Sequence, residues 1–462
     1  MTVQGYPAHR DVPVAFAPGT GDCRRREDAI NQTMQTALIG KHLDRSSLAY
    51  TADALVVAVA VSLPWSTSAT SILIVLWLIV LVPTLNVASL RTVLATPAGG
   101  LPVALCVFAL LGLLWSVAPL AERLDGFQVF FRFLAIPLLL AHFRCSPRGM
   151  CVIGGFLASC VVLLLLSWAT KIWPSLWRPM VTAGVPVKDY VVQSGEFLLC
   201  AFGLIHWALS AWRQKRWQVA FSLAALAVLF LANIVFVATS RASLVVFAAL
   251  VVVLALQRFS WKGALGVLVG GAVLASLAWM SSPYMRARIL AVSEEIDRYQ
   301  GEGVGTSSGY RLGWWKKSLG FVAAAPIIGN GTGATRELFR RAAVDDPNLQ
   351  DAVTDNPHNQ TLSIAIQLGL IGVGLLYAMW IAHLLLFRAT ELAGWIGAGL
   401  VVQNIVASLF NSQIFYFTPG WLYVFGVGVL GGMMLGRGPN GATRQTASAR
   451  ESGVVPRYER RQ

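Results

Sequence analysis

Apolar runs of about 18 or more residues, long enough to span a bilayer as helix, recur from residue 48 to residue 436. No soluble fold buries that many such runs. Hydrophobic residues make up 56% of the chain and charged residues 13%, against roughly 25% charged in soluble domains. A membrane β-barrel would instead show short segments of alternating polarity. The fold class that follows is an all-α integral membrane protein. The pattern predicts about twelve transmembrane helices, at 48–64, 68–85, 99–116, 126–141, 149–172, 190–211, 217–237, 242–257, 263–281, 361–386, 391–410 and 419–436. One long polar loop, 282–360, expected to hold short amphipathic helices lying over the membrane, separates spans 9 and 10.

Charge orients these spans. Arginine and lysine gather in the N-terminal tail, at Arg144/Arg148, Arg213/Lys215/Arg216, Arg258/Lys262 and Arg388, and in the C-terminal tail. The connectors at 65–68 and 411–418, on the other face, carry none. The positive-inside rule then puts both termini in the cytoplasm and the 282–360 loop outside it. Long loops cross largely regardless of their own charge. Topology therefore accounts for most of the formal net charge of +14, and nucleic acid is not an expected partner. The expected layout is a cytoplasmic tail at 1–46, nine spans over 47–281, an extracytoplasmic loop at 282–360, three spans over 361–436 and a disordered tail at 437–462. Residues 1–46 lack the short apolar core of a signal peptide. None of the six cysteines lies in the long loop and none forms a CxxC pair, so neither zinc nor a disulfide framework is expected.

A long loop between spans is where a membrane protein can gather charge at low cost. Of six histidines only His358 falls on the extracytoplasmic face, after Asn356-Pro357 and beside Asn359. A neutral imidazole there can take a proton from a hydroxyl near pH 7. A histidine that only satisfies a backbone group at a helix start would look the same in sequence. Arg241, in Ala238-Thr239-Ser240-Arg241, sits in a very short connector between apolar helices, where an arginine needs an anion or water. Arg311 follows Tyr310 and opens RLGWWKKSLGFVAAA; its fork suits a phosphate, and Trp314/Trp315 suit an aromatic belt. Arg132 reads as a second phosphate contact or as an ion pair with Glu122 or Asp125, and Arg288 is a further basic candidate. Gly329-Asn330-Gly331-Thr332-Gly333 lacks the Lys-Ser/Thr of a nucleotide loop and reads as a tight turn, with an anion-binding nest as the minor option. Asp345, Asp346, Asp351 and Asp355 match no EF-hand spacing and read as solvated charges facing the arginines.

Three features coincide: Thr239-Ser240-Arg241 at a helix junction, Arg311-x3-Trp315 followed by Pro326-Ile327-Ile328-Gly329-x-Gly331, and His358-Asn359-x9-Gly369. Together they resemble the O-antigen ligase and O-antigen polymerase family, most of all its ligase branch, over about residues 220–380. The resemblance implies a metal-independent, inverting membrane glycosyltransferase of the GT-C-like class, with no cofactor. It implies a donor glycan on undecaprenyl pyrophosphate, presented at the outer leaflet of a bacterial inner membrane, and a lipid A–core acceptor. His358, Arg241 and Arg311 match the family's essential residues; Arg132, Arg288, Asn356, Asn359 and Tyr310 are weaker substrate-binding candidates. An O-antigen polymerase or a protein O-oligosaccharyltransferase would share this core and differ in acceptor. A permease or flippase would explain the spans but not a long outer loop with one histidine.

Overall fold

A computed structural model describes residues 45–176, 183–302, 306–344 and 353–436, and Leu43–Leu435 form one compact unit. The expectations for the tails at 1–46 and 437–462, and for Asp345, Asp346 and Asp351, lie outside the described residues, apart from the helix start at Arg45.

Every regular element among the described residues is helical. The chain opens with α1 (Arg45–Ser62), α2 (Thr67–Leu81), α3 (Val87–Leu94) and α4 (Pro97–Leu111). It continues through α5 (Leu120–Gln128), α6 (Ala135–Phe143), α7 (Gly149–Ile172), α8 (Tyr190–Arg213), α9 (Trp217–Phe236), α10 (Arg241–Arg258) and α11 (Trp261–Ser281). The outer loop folds as α12 (Pro283–Glu302), α13 (Ser307–Ala324) and α14 (Ala334–Val344), and α15 (Gln360–Leu386), α16 (Leu392–Ala407) and α17 (Phe417–Gly436) complete the chain. A helix stands at each of the twelve expected spans, but among the described residues nine are long and apolar enough to cross a bilayer, ten if α3 and α4 form one span bent by 83°. The other two expected spans are α1, which buries Asp53, and α16, which has 16 residues. Sixteen residues of helix reach about 24 Å, short of a bilayer core of about 30 Å.

The loop helices are longer than expected: α12 has 20 residues and α13 has 18. What fixes them against the spans is a break in α15. Gly369 has φ 61° and ψ −161°, a conformation open essentially to glycine alone. A regular helix would bond Leu370 N–H to Ile366 C=O and Ile371 N–H to Gln367 C=O. Here the glycine loop inserts between them. Asn330 N–H donates to Ile366 C=O (2.8 Å) and Gly331 N–H to Gln367 C=O (2.9 Å), while Leu370 N–H donates to Pro326 C=O (2.8 Å) and Ile371 N–H to Ile327 C=O (3.2 Å). All four freed groups are satisfied again, the condition for non-helical backbone within a membrane protein. The loop also reaches α4, where Thr332 N–H donates to Gly112 C=O and its hydroxyl to Ala109 C=O. A Cβ on Gly369 would sit 2.3 Å from Ile327 O. The glycine run is thus a structural brace. Its amides at Asn330, Gly331 and Thr332 are spent on carbonyls and that at Gly333 on the Gln367 side chain, so it forms no anion nest.

Candidate active site

His358 stands two residues ahead of α15, in the left-handed region at φ 54°, an uncommon state for a side-chain-bearing residue. Its surroundings hold it there. Asn356 Oδ1 accepts the His358 N–H at 2.8 Å and the Ser412 hydroxyl at 2.7 Å. Asn359 is the N-cap, its Oδ1 accepting from Leu362 N–H and its Nδ2 donating to Leu409 C=O. Trp315 Nε1 donates to Pro357 C=O at 2.9 Å. Asn356 and Asn359, read as substrate contacts, therefore spend these side-chain atoms on shaping the histidine's backbone.

The imidazole lies in an aromatic stack. Trp314 is stacked on His358 with centroids 5.2 Å apart, and Tyr310 on Trp314 at 5.7 Å. The two tryptophans expected in an interfacial belt thus line the site. Asn411 Oδ1 lies 2.8 Å from His358 Nδ1, and the Tyr416 hydroxyl 3.4 Å. With the Asn411 carbonyl oxygen accepting from Nδ1–H, the lone pair falls on Nε2, which no hydrogen bond engages among the described residues. Burial pulls the His358 pKa below its usual 6.5; the positive charge of Arg311 adds to this, and the Asn411 bond and Asp355 oppose it. The group is a neutral imidazole at neutral pH, as a general base must be.

Two cavities meet the partners of His358. The first, about 160 Å³, is lined by Tyr190, Arg241, Arg288, Glu295, Arg311 and Asn411. Three guanidinium groups in so small a space are costly unless an anion joins them. Arg241, at the start of α10, is committed: Nε donates to Arg288 C=O (2.7 Å), Nη1 to Glu295 (3.2 Å) and Ser308 (3.0 Å), and Nη2 to Glu295 (2.7 Å). The sequence calls for an anion or water at this guanidinium; in the structure Glu295 supplies the anion. Arg288 lies over the Tyr190 ring at 4.8 Å with its Nε buried and unpartnered. Arg311 engages no hydrogen bond or ion pair among the described residues. These two are the cations open to a ligand.

The second cavity, about 460 Å³, has Glu122, Asp125, Gln128, Arg336, Asp355 and Tyr416 on its walls. Carboxylates and amides beside an aromatic ring suit a neutral polyhydroxyl group, since each oxygen can accept from a hydroxyl. A third cavity, about 310 Å³, is apolar and holds none of these groups.

Arg132 lies in neither cavity. Its Nη1 donates to Ile414 C=O (2.7 Å) and Tyr416 C=O (2.6 Å). It bonds those carbonyls where an ion pair with Glu122 or Asp125 was one expectation, and so holds the connector that carries Asn411 and Tyr416. Among the described residues no three His, Cys, Asp or Glu side chains gather as a metal site. Sequence reasoning missed Glu295, Ser308, Asn411 and Tyr416. Only the polar run Asn411-Ser412-Gln413 in a short connector between apolar helices offered a signal.

A family model described as O-antigen ligase matches residues 225–377, which include Arg241, Arg288, Glu295, Arg311, His358 and Gly369. No curated protein matches the chain.

Proposed function

We propose, from the premise that residues 225–377 are an O-antigen ligase family domain, that this membrane protein is a glycosyltransferase. In this reading it moves a glycan from undecaprenyl pyrophosphate to a sugar hydroxyl of lipid A–core, with inversion and without a metal. The observation that carries the reading is a neutral imidazole, its Nε2 unengaged among the described residues, whose Nδ1 bonds Asn411 on the wall of a cavity that also holds Arg311 and Arg288. A diphosphate is already a good leaving group, so the protein must do two things. It must neutralise the charge that grows on the departing oxygen, and it must take the proton of the attacking hydroxyl. Arg311 and Arg288 serve the first need and His358 Nε2 the second. The hydroxyl oxygen forms the new bond to the anomeric carbon as the bond to the diphosphate breaks. The carboxylate-lined cavity takes the acceptor sugar.

The charge asymmetry of the connectors supports a multi-pass inner-membrane protein with cytoplasmic termini and the site facing the periplasm. In a cysteine-free background, a membrane-impermeant thiol reagent should label Glu294→Cys and leave Lys215→Cys unmodified; the reverse would remove the site from the donor. Function is tested by the envelope of a deletion strain. Long glycan left on the lipid carrier beside bare lipid A–core identifies the ligase. Single-repeat lipopolysaccharide would assign the same chemistry to a polymerase, and an unchanged envelope would refute both.

A further inference from the structure

Glu295 sits in a set of donors that would suit a phosphoryl group. Its Oε1 accepts from Arg241 Nη2 at 2.7 Å. Its Oε2 accepts from Arg241 Nη1 at 3.2 Å, from the Ser308 hydroxyl at 2.6 Å and from the Ser308 N–H at 3.1 Å. That is an arginine fork, a hydroxyl and an amide in the first turn of the 18-residue helix α13. The same combination binds phosphate in proteins generally. The donors hold the carboxyl as an anion, its pKa drawn down to about 2 chiefly by the Arg241 bond. A second observation points to a ligand at the same place: Arg288, whose carbonyl receives Arg241 Nε, keeps its own Nε buried and unpartnered on the wall of the adjoining cavity.

We infer that Glu295 is an internal stand-in for the anionic ligand, and that a diphosphate displaces it from Arg241 and Ser308 as it enters the arginine cavity. The inference rests on the proposed function for the presence of a diphosphate, and it adds a residue that tunes how tightly the diphosphate is held. Two anions cannot share one fork without strong repulsion. Without ligand, the carboxylate satisfies a cation that membrane surroundings would otherwise penalise. With ligand, the carboxylate leaves, and α12 is tied to Arg241 and to the start of α13 only through its backbone carbonyls, Arg288 C=O to Arg241 Nε and Glu295 C=O to the Thr306 hydroxyl. Lipid-linked diphosphate is thereby bound less tightly than the donor set alone would allow, which helps the spent carrier depart.

The experiment uses the full-length protein in nanodiscs and inorganic pyrophosphate as the probe. Affinity is measured by calorimetry, and backbone hydrogen exchange is followed over residues 283–299. Glu295→Gln keeps size and a hydrogen-bonding oxygen but removes the competing charge. It should bind pyrophosphate about ten-fold or more tightly than the native protein, the scale of a charged hydrogen bond. Pyrophosphate should speed exchange in 283–299 of the native protein and change Glu295→Gln less, since its neutral amide holds Arg241 and Ser308 more weakly. Unchanged or weaker binding by Glu295→Gln would overturn the inference, because it would make Glu295 a permanent brace for Arg241. Arg311→Ala separates the two readings. If it abolishes pyrophosphate binding while Glu295→Gln fails to tighten it, the arginine cavity stands and the stand-in falls. If Arg311→Ala binds as the native protein does, the arginine cavity itself is wrong.

Discussion

The glycine loop and the arginine cavity are neighbours along the chain, and both concentrate polar groups against apolar helices. They differ in how those groups are satisfied. At the loop, the bonds broken at Gly369 in α15 are made again by Pro326, Ile327, Asn330 and Gly331. At the cavity, Arg311 and the Nε of Arg288 are left unengaged among the described residues, and so is the Nε2 of His358, whose Nδ1 bonds Asn411 on the cavity wall. Burying an unsatisfied polar group is expensive. A closed network therefore reads as a device that holds shape, and an open one as a place where something binds. Substitutions in the two regions should fail in different ways: the loop through stability, the cavity through chemistry.

The largest effect is expected at His358. His358→Ala should lower the transfer rate about 10²- to 10⁴-fold, the usual contribution of a general base. Asparagine tolerates the left-handed backbone, so His358→Asn should show the same loss with an unchanged thermal midpoint in detergent. A loss of stability in step with activity would place His358 with the loop, not with the cavity. Next is Gly369→Ala, where the positive φ and the approach of Ile327 O leave no room for a methyl group. It should cost about 2–4 kcal/mol of stability, read as a lowered melting temperature, while the molecules that do fold keep their turnover. Arg311→Ala comes third. It should lower kcat/KM for lipid-linked donor by about ten-fold or more, the scale of a charged hydrogen bond, and Arg311→Lys should recover part of that, keeping charge and losing the fork. Least affected should be Asn330→Ala, which removes side-chain donation to Phe321 and Ile366 C=O and should cost about 1–2 kcal/mol of stability with KM unchanged.

The apolar runs were legible because hydropathy alone decides which segments are long helices, and helices stand at every expected span. Their number as membrane crossings was less so: α16 is too short by itself, and the α3–α4 bend follows from local turn chemistry at Thr96-Pro97. His358 stood out because histidine occurs once in the outer loop, and Arg311 because it opens the run that carries Trp314 and Trp315. Glu295 did not, since a single carboxylate in a polar helix has no sequence signature until Arg241 is seen to reach it across more than fifty positions. Gly369 was recognised through its spacing from His358, but the reason for a glycine there lies in the loop that inserts from residues 326–331. The aromatic stack was hidden for a related reason. An amphipathic run with two tryptophans suits a membrane surface as well as a binding site, and only packing against His358 decides between them.

The central claim is that His358 acts as a neutral base. It is tested most directly by the pH dependence of single-turnover transfer, with purified protein, lipid-linked donor and lipid A–core acceptor, without metal. The folded-state pKa of His358 lies below 6.5, so the neutral form fills as pH rises through that lower value and is essentially complete by neutrality. The account predicts a rate that climbs with pH, with its inflection below about 6.5, and then stays level. A rate that falls as pH rises through the same window would mean that the imidazolium is the active form, and would contradict it.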